Sequence, residues 1–110
     1  MNLMRRAVVD IEKFRKNVYE AVAAVPRGKV TTYGHVARLA GFPHHARLAG
    51  RVLGETPSGL RLPCHRVVNA SGRLVPHWPG QRSLLEAEGV AFRSNGCVNM
   101  KECLWNWEDE

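Results

Sequence analysis

Apolar residues recur at helical spacing near the start of the chain: Ile11, Phe14, Val18, Val22 and Val25, with Asp10, Glu12, Lys13, Lys16 and Glu20 between them. This pattern predicts an amphipathic helix over about 10–25, with Asp10 as its N-cap. Pro26-Arg27-Gly28 stops it. Thr31 and Thr32 then supply capping hydroxyls for a second helix, about 32–40, whose buried side is Val36, Ala37 and Ala40. Gly41 suits the left-handed position that closes such a helix. Pro43 is acceptable in a first turn. A third helix is therefore expected over about 43–53, burying Ala49, Leu53 and either Leu48 or Val52, with Gly54 as its stop.

Leu62 to Val68 is a short apolar run with a polar centre. Asn69-Ala70-Ser71-Gly72 reads as a turn, and Arg73-Leu74-Val75 as a returning strand. A fourth helix is expected from Gly80 to Glu88, with Leu84 and Leu85 inward and Gly89 ending it. Beyond Val90 the periodicity fades, and Trp105 and Trp107 are expected to pack on the core or fray with the acidic end. The pattern predicts a mainly α fold: a small helix-turn-helix or winged-helix-like domain with a minor β-hairpin. The expected organisation is a single domain over 1–110, with its core at about 10–92 and a peripheral segment at 93–110.

The 110 residues bound the molecule to about one core. No apolar run is long enough to span a membrane, and no apolar stretch of signal-peptide type follows Arg5-Arg6. Cys64, Cys97 and Cys103 form neither an even set nor a CxxC pair, which favours a reducing, cytoplasmic setting over a disulfide scaffold. Five histidines lack metal-ligand spacing, so neither a metal nor a cofactor is expected. No long heptad or large apolar face is evident, so a monomer is expected.

Charge changes the picture. The net charge of +6 is concentrated in residues 27–82, where nine basic side chains face one acidic residue, Glu55. Twelve of the sixteen basic residues are arginines, whose forked donors suit phosphates and bases. Two short helices joined through a glycine corner inside this segment are a helix-turn-helix signature. His44, Arg47 and Arg51 are expected to share one face of the third helix, beside small Ala46 and Gly50. Such a face permits close approach to a nucleic-acid groove, although a merely solvated polar face has the same pattern.

Cys64 lies between Pro63 and His65-Arg66. Neighbouring His and Arg side chains are expected to lower the thiol pKa towards the reactive thiolate. Adjacent side chains rarely face each other, so a proton relay from Cys64 to His65 needs a water. Residue type alone favours a buried structural cysteine.

The hexapeptide Pro63-Cys64-His65-Arg66-Val67-Val68 resembles the active-site motif of the alkylguanine-DNA alkyltransferases, also called methylated-DNA–protein-cysteine methyltransferases. Gly28 to Gly34 and Ala46-Arg47 resemble that family's helix-turn-helix, and the likeness runs from about residue 11 to about 92. The resemblance implies binding of double-stranded DNA through the minor groove, eversion of a guanine alkylated on its 6-oxygen, and irreversible transfer of the alkyl group to Cys64. It implies that Tyr33 crowds the 3′ phosphate, Arg47 fills the vacated stack, His65 acts as base through a water, and Glu88 orients His65. The expected DNA surface is Thr32, Tyr33, His44, Ala46, Arg47, Gly50, Arg51 and Arg66. The expected pocket is formed by Tyr33, Pro63, Val67 and Trp78.

The chain departs from the family pattern in three places. The additional N-terminal domain of full-length members has no counterpart, Thr56 stands where repair-competent members carry an asparagine, and Arg73 to Gly80 lacks the small, Gly-rich active-site loop. In size and in its Gln81-to-Gly89 segment the chain is closer to the alkyltransferase-like proteins. Those replace the cysteine, bind alkylated DNA without transfer, and mark it for nucleotide excision repair proteins. Two alternatives to transfer therefore stand beside it: a non-enzymatic lesion sensor, and a helix-turn-helix regulator reading base sequence in the major groove.

Overall fold

A computed structural model describes residues 10–106. Helix α1 spans Ile11–Ala23, and the Asp10 carboxylate accepts a hydrogen bond from the Lys13 amide at 3.2 Å. Phe14, Val18, Ala21 and Val22 form its buried stripe, and Val25 is buried just beyond its end. Ile11 falls outside that stripe and is 40% exposed. Strand β1, Thr31–Thr32, leads directly into α2, Tyr33–Leu39, where the Thr32 hydroxyl caps the His35 amide at 3.1 Å. Val36, Ala37 and Ala40 pack inward. Gly41 closes the helix at φ +93°, a conformation that a Cβ disfavours.

Helix α3, Ala46–Gly54, begins later than the proline signal indicates. Pro43 and His44 form a turn, and the His45 amide donates to the Phe42 carbonyl at 3.0 Å. The rings of Phe42 and His45 pack edge-on at 5.9 Å, and both contact Phe14. This aromatic contact sets the corner, so the interhelix segment is longer than expected and Gly54 is the last helical residue. Ala49, Val52 and Leu53 are buried and Leu48 only partly, which resolves the Leu48/Val52 alternative.

The minor β element is a parallel pair, not a hairpin. Strand β2, Val67–Val68, pairs with β1 in the register Thr31 to Val67 and Thr32 to Val68. Successive strand residues point to opposite faces. Val67 accordingly enters a core cluster with α1, α2 and α3, and Val68 a second cluster with Val30, Leu85, Val90, Val98 and Cys103. A hairpin return is replaced by a turn in which Asn69 donates its backbone N–H to Arg73 O at 3.2 Å. Helix α4, Gly80–Ala87, buries Gln81 and Leu85 completely, while Leu84 is 44% exposed. The inward face runs through positions 81, 85 and 88, so Leu84, expected inside, lies off it.

The described part of the segment after 93 packs against the core rather than lying at its periphery. Its short helix α5, Met100–Cys103, buries Cys103, and Val98 is fully enclosed. Val30 N–H donates to Cys103 O at 2.9 Å, and Trp105 N–H to Val30 O at 2.7 Å. Trp105 packs in the core at 7% exposure, while Trp107 lies outside the described residues. Gly72 is the close crossing: at φ +87° its missing Cβ would sit 2.6 Å from Val98 O. No described helix is long and apolar enough to cross a membrane.

Candidate functional site

Cys64, His65 and Arg66 form one tight helical turn between Pro63 and β2. The turn places His65 and Arg66 against Glu88, the residue that closes α4. His65 Nε2 lies 2.7 Å from Glu88 Oε2. Arg66 donates from Nε to Oε1 at 2.9 Å and from Nη2 to Oε2 at 2.8 Å, and its Nη1 donates to Val25 O at 2.8 Å. Gly28 N–H adds a bond to Oε1 at 3.3 Å. The Glu88 side chain is only 6% exposed. The Arg66 guanidinium holds its carboxyl down to about 2 against the opposing effect of burial, and the bonds from His65 and Gly28 act in the same direction as Arg66. A carboxylate that stays charged at neutral pH therefore faces the imidazole, which leaves Nδ1 as the nitrogen able to take a proton when Nε2 carries the hydrogen.

Arg66 is thus not a free phosphate ligand. Its donors are turned inward onto Glu88 and Val25, and the side chain is 16% exposed. Cys64 also differs from expectation. It is partly exposed and packs against the first core cluster, and burial pushes its thiol pKa up, with the neighbouring Thr56 hydroxyl opposing that rise. The expected lowering by His65 and Arg66 is absent because both side chains are directed at Glu88. The single hydrogen of the Thr56 hydroxyl is directed at Val52 O, 3.1 Å away at the end of α3.

Tyr33 and Asn69 line two cavities. One, of about 420 Å³, is lined by Thr32, Tyr33, Gly34, Ala46, Arg47, Gly50, Asn69 and Ala70. The other, of about 370 Å³, is lined by Tyr33, Asn69, Arg73, Leu74, Val75 and Pro76. The first brings together five of the residues expected on the DNA surface: Thr32, Tyr33, Ala46, Arg47 and Gly50. The Tyr33 ring lies over Gly50, where an added Cβ would stand at an ordinary contact distance of 3.6 Å. Arg51 is exposed on α3, but His44 precedes the helix and does not share its face. Val67 is fully buried and cannot line a pocket. Pro63, Cys64 and Trp78 line neither of these two cavities. Burial pushes the Tyr33 phenol pKa up, and the charge of Cys64 adds to the effect.

Three supporting residues escaped the sequence reading. The buried Gln81 amide donates to His65 O and Val67 O, both at 3.1 Å, and accepts from Val75 N–H at 2.8 Å, pinning the 73–80 segment to the cysteine turn. Its helical spacing from Leu85 and Glu88 is the signal that would have found it. Gly28 and Asn69 act through a backbone amide and a turn, which no periodicity marks. Among the described residues, no group of three His, Cys, Asp or Glu comes together as a metal site.

Residues 13–90 match the family model of the 6-O-methylguanine DNA methyltransferase, DNA binding domain. The chain belongs to this family, which holds both DNA alkyltransferases and alkyltransferase-like proteins. It is 44% identical over 99 residues to the DNA base-flipping protein of Escherichia coli K12, covering 87% of this chain and 77% of that one. It is 38% identical over 78 residues to the methylated-DNA–protein-cysteine methyltransferase of Mycobacterium bovis, covering 68% of this chain and 47% of that protein. The crystal structure of Schizosaccharomyces pombe Atl1 in complex with damaged DNA containing O6-carboxymethylguanine aligns with a TM-score of 0.80 at 34% identity, covering 89% of this chain and 99% of that one.

Proposed function

We propose that this chain binds double-stranded DNA containing a guanine alkylated on its 6-oxygen, turns that base out of the stack and accepts the alkyl group on Cys64. The observation that carries the reading is the ionised Glu88 held 2.7 Å from His65 Nε2, next to a partly exposed cysteine. The thiol needs such a base, because burial disfavours its thiolate.

In the proposed reaction Glu88 accepts a hydrogen bond from His65 Nε2–H, and a water carries the Cys64 proton to His65 Nδ1. The thiolate attacks the alkyl carbon and the carbon–oxygen bond breaks. The departing guanine anion takes a proton from solvent, and a thioether remains on Cys64. No step regenerates the thiol, so each molecule reacts once. Arg47 inserts where the base stood, Tyr33 crowds the backbone, and Thr32, His44, Ala46, Gly50 and Arg51 form the remaining DNA surface. Pro63 and Trp78 border the base. Binding should weaken with salt as phosphate contacts release counterions.

The test is to incubate the protein with a duplex containing O6-methylguanine and measure its intact mass. A gain of one CH2 unit, a methyl group in place of the thiol hydrogen, mapped to the Cys64 peptide, is expected. An unchanged mass under saturating lesion sinks the transfer reading.

A second reading, a lesion sensor that hands the site to excision-repair proteins, is favoured by the near-complete coverage of Atl1 and the raised thiol. It requires preferential lesion binding that survives Cys64→Ser, with no mass gain in the wild type.

A further inference from the structure

Asn69, with Tyr33, lines both the cavity on the α3 side and the cavity on the 73–76 side. The amide is held in one orientation. Its Oδ1 accepts from Ser71 N–H and Ser71 Oγ–H, both at 3.0 Å, and from Arg73 N–H at 2.8 Å. Backbone amides only donate, so the oxygen must face this turn. The NH2 group therefore faces the other way, and among the described residues it meets no acceptor. The second cavity, which Asn69 also lines, presents apolar Leu74, Val75 and Pro76 together with Tyr33 and Arg73.

The chemistry of the lesion supplies an acceptor. Unmodified guanine carries a hydrogen on N1. Alkylation of the 6-oxygen removes that hydrogen, so N1 changes from donor to acceptor. A fixed N–H attracts the alkylated form and meets an opposing N–H in the normal one, a mismatch that leaves both groups unpaired. Resting on the function proposed above, we infer that Asn69 is a specificity-determining residue, its side-chain NH2 donating to N1 of the everted alkylguanine.

The variant that isolates the donor is Asn69→Asp. It keeps an oxygen for the three turn bonds and removes the NH2. Binding is measured by competition between duplexes that differ only in O6-methylguanine or guanine, because the added negative charge weakens both equally and cancels in their ratio. The lesion preference should fall by about tenfold. In nitrogen-15-labelled wild-type protein, the Asn69 side-chain NH2 resonances should move with the lesion duplex and stay in place with the unmodified one. An unchanged ratio between the two duplexes overturns the inference, whatever loss the added charge imposes on both. If the wild type itself has no lesion preference, the function on which the inference rests fails as well. Preference in the wild type that Asn69→Asp retains overturns the role of Asn69 alone.

Discussion

The α2–α3 face and the Glu88 corner reach their geometry by opposite routes. The face is built from one stretch of chain, Thr32 to Gly50, with small residues, a hydroxyl cap and a tyrosine laid over a glycine. Its side chains are held by helix packing, and Arg47 is exposed. The corner joins segments far apart in sequence, around Val25–Gly28, Cys64–Arg66 and Gln81–Glu88, through buried polar contacts. A surface that meets a large ligand can depend on shape and tolerate single changes. A corner that fixes the charge beside one imidazole depends on every partner being present.

The contrast is tested most strongly at Glu88. Glu88→Gln leaves the Arg66 guanidinium without its buried counter-charge, and urea unfolding should show a loss of about 3–5 kcal/mol. The same carboxylate gives the wild type a pH signature. Its folded pKa lies near 2 against an ordinary 4.5, so its contribution is fully present above 4.5 and is lost as the pH falls towards 2. Unfolding measured across that window should show a decline of about 3 kcal/mol that Glu88→Gln lacks.

Gln81→Leu removes the partners of Val75 N–H, His65 O and Val67 O and should cost about 1–3 kcal/mol in thermal unfolding. On the other face the same order of effect should appear only in binding. Arg47→Ala should leave stability within about 0.5 kcal/mol of wild type. In a fluorescence titration with a lesion duplex it should weaken binding by about 1–3 kcal/mol, the size of a lost stacking contact. The smallest effect has the opposite sign. Gly50→Ala places a Cβ at an ordinary 3.6 Å from the Tyr33 ring. The helix should gain about 0.5–1 kcal/mol, readable as a raised melting temperature. A destabilised Gly50→Ala, or a Glu88→Gln variant as stable as wild type, would erase the distinction between the two regions.

The two regions also differed in how far sequence revealed them. The stripe of α1, the Thr32 cap and the Gly41 terminator follow from local periodicity and capping chemistry, which act within a few residues. The start of α3 was misplaced because Phe42 and His45 dock on Phe14, a contact that overrides the preference of Pro43 for a first turn. The parallel pairing of Val67–Val68 with Thr31–Thr32 left no trace, since two residues carry no alternation and their partner lies across a long connection. Arg66 was read as a phosphate ligand from its charge. Its inward course depends on Glu88, which only the fold brings within 3 Å. Cys64, His65 and Glu88 were visible through the family motif; Gln81 and Asn69 were not, because one hides as a polar residue on a buried helix face and the other as a turn residue.

The central claim, that Cys64 removes the alkyl group, is tested most directly on the DNA. A duplex containing O6-methylguanine is incubated with the protein, digested to nucleosides and separated by chromatography. The account predicts that each protein molecule converts one O6-methylguanine to guanine and that Cys64→Ser converts none. Persistence of the lesion at a molar excess of folded wild-type protein would contradict it.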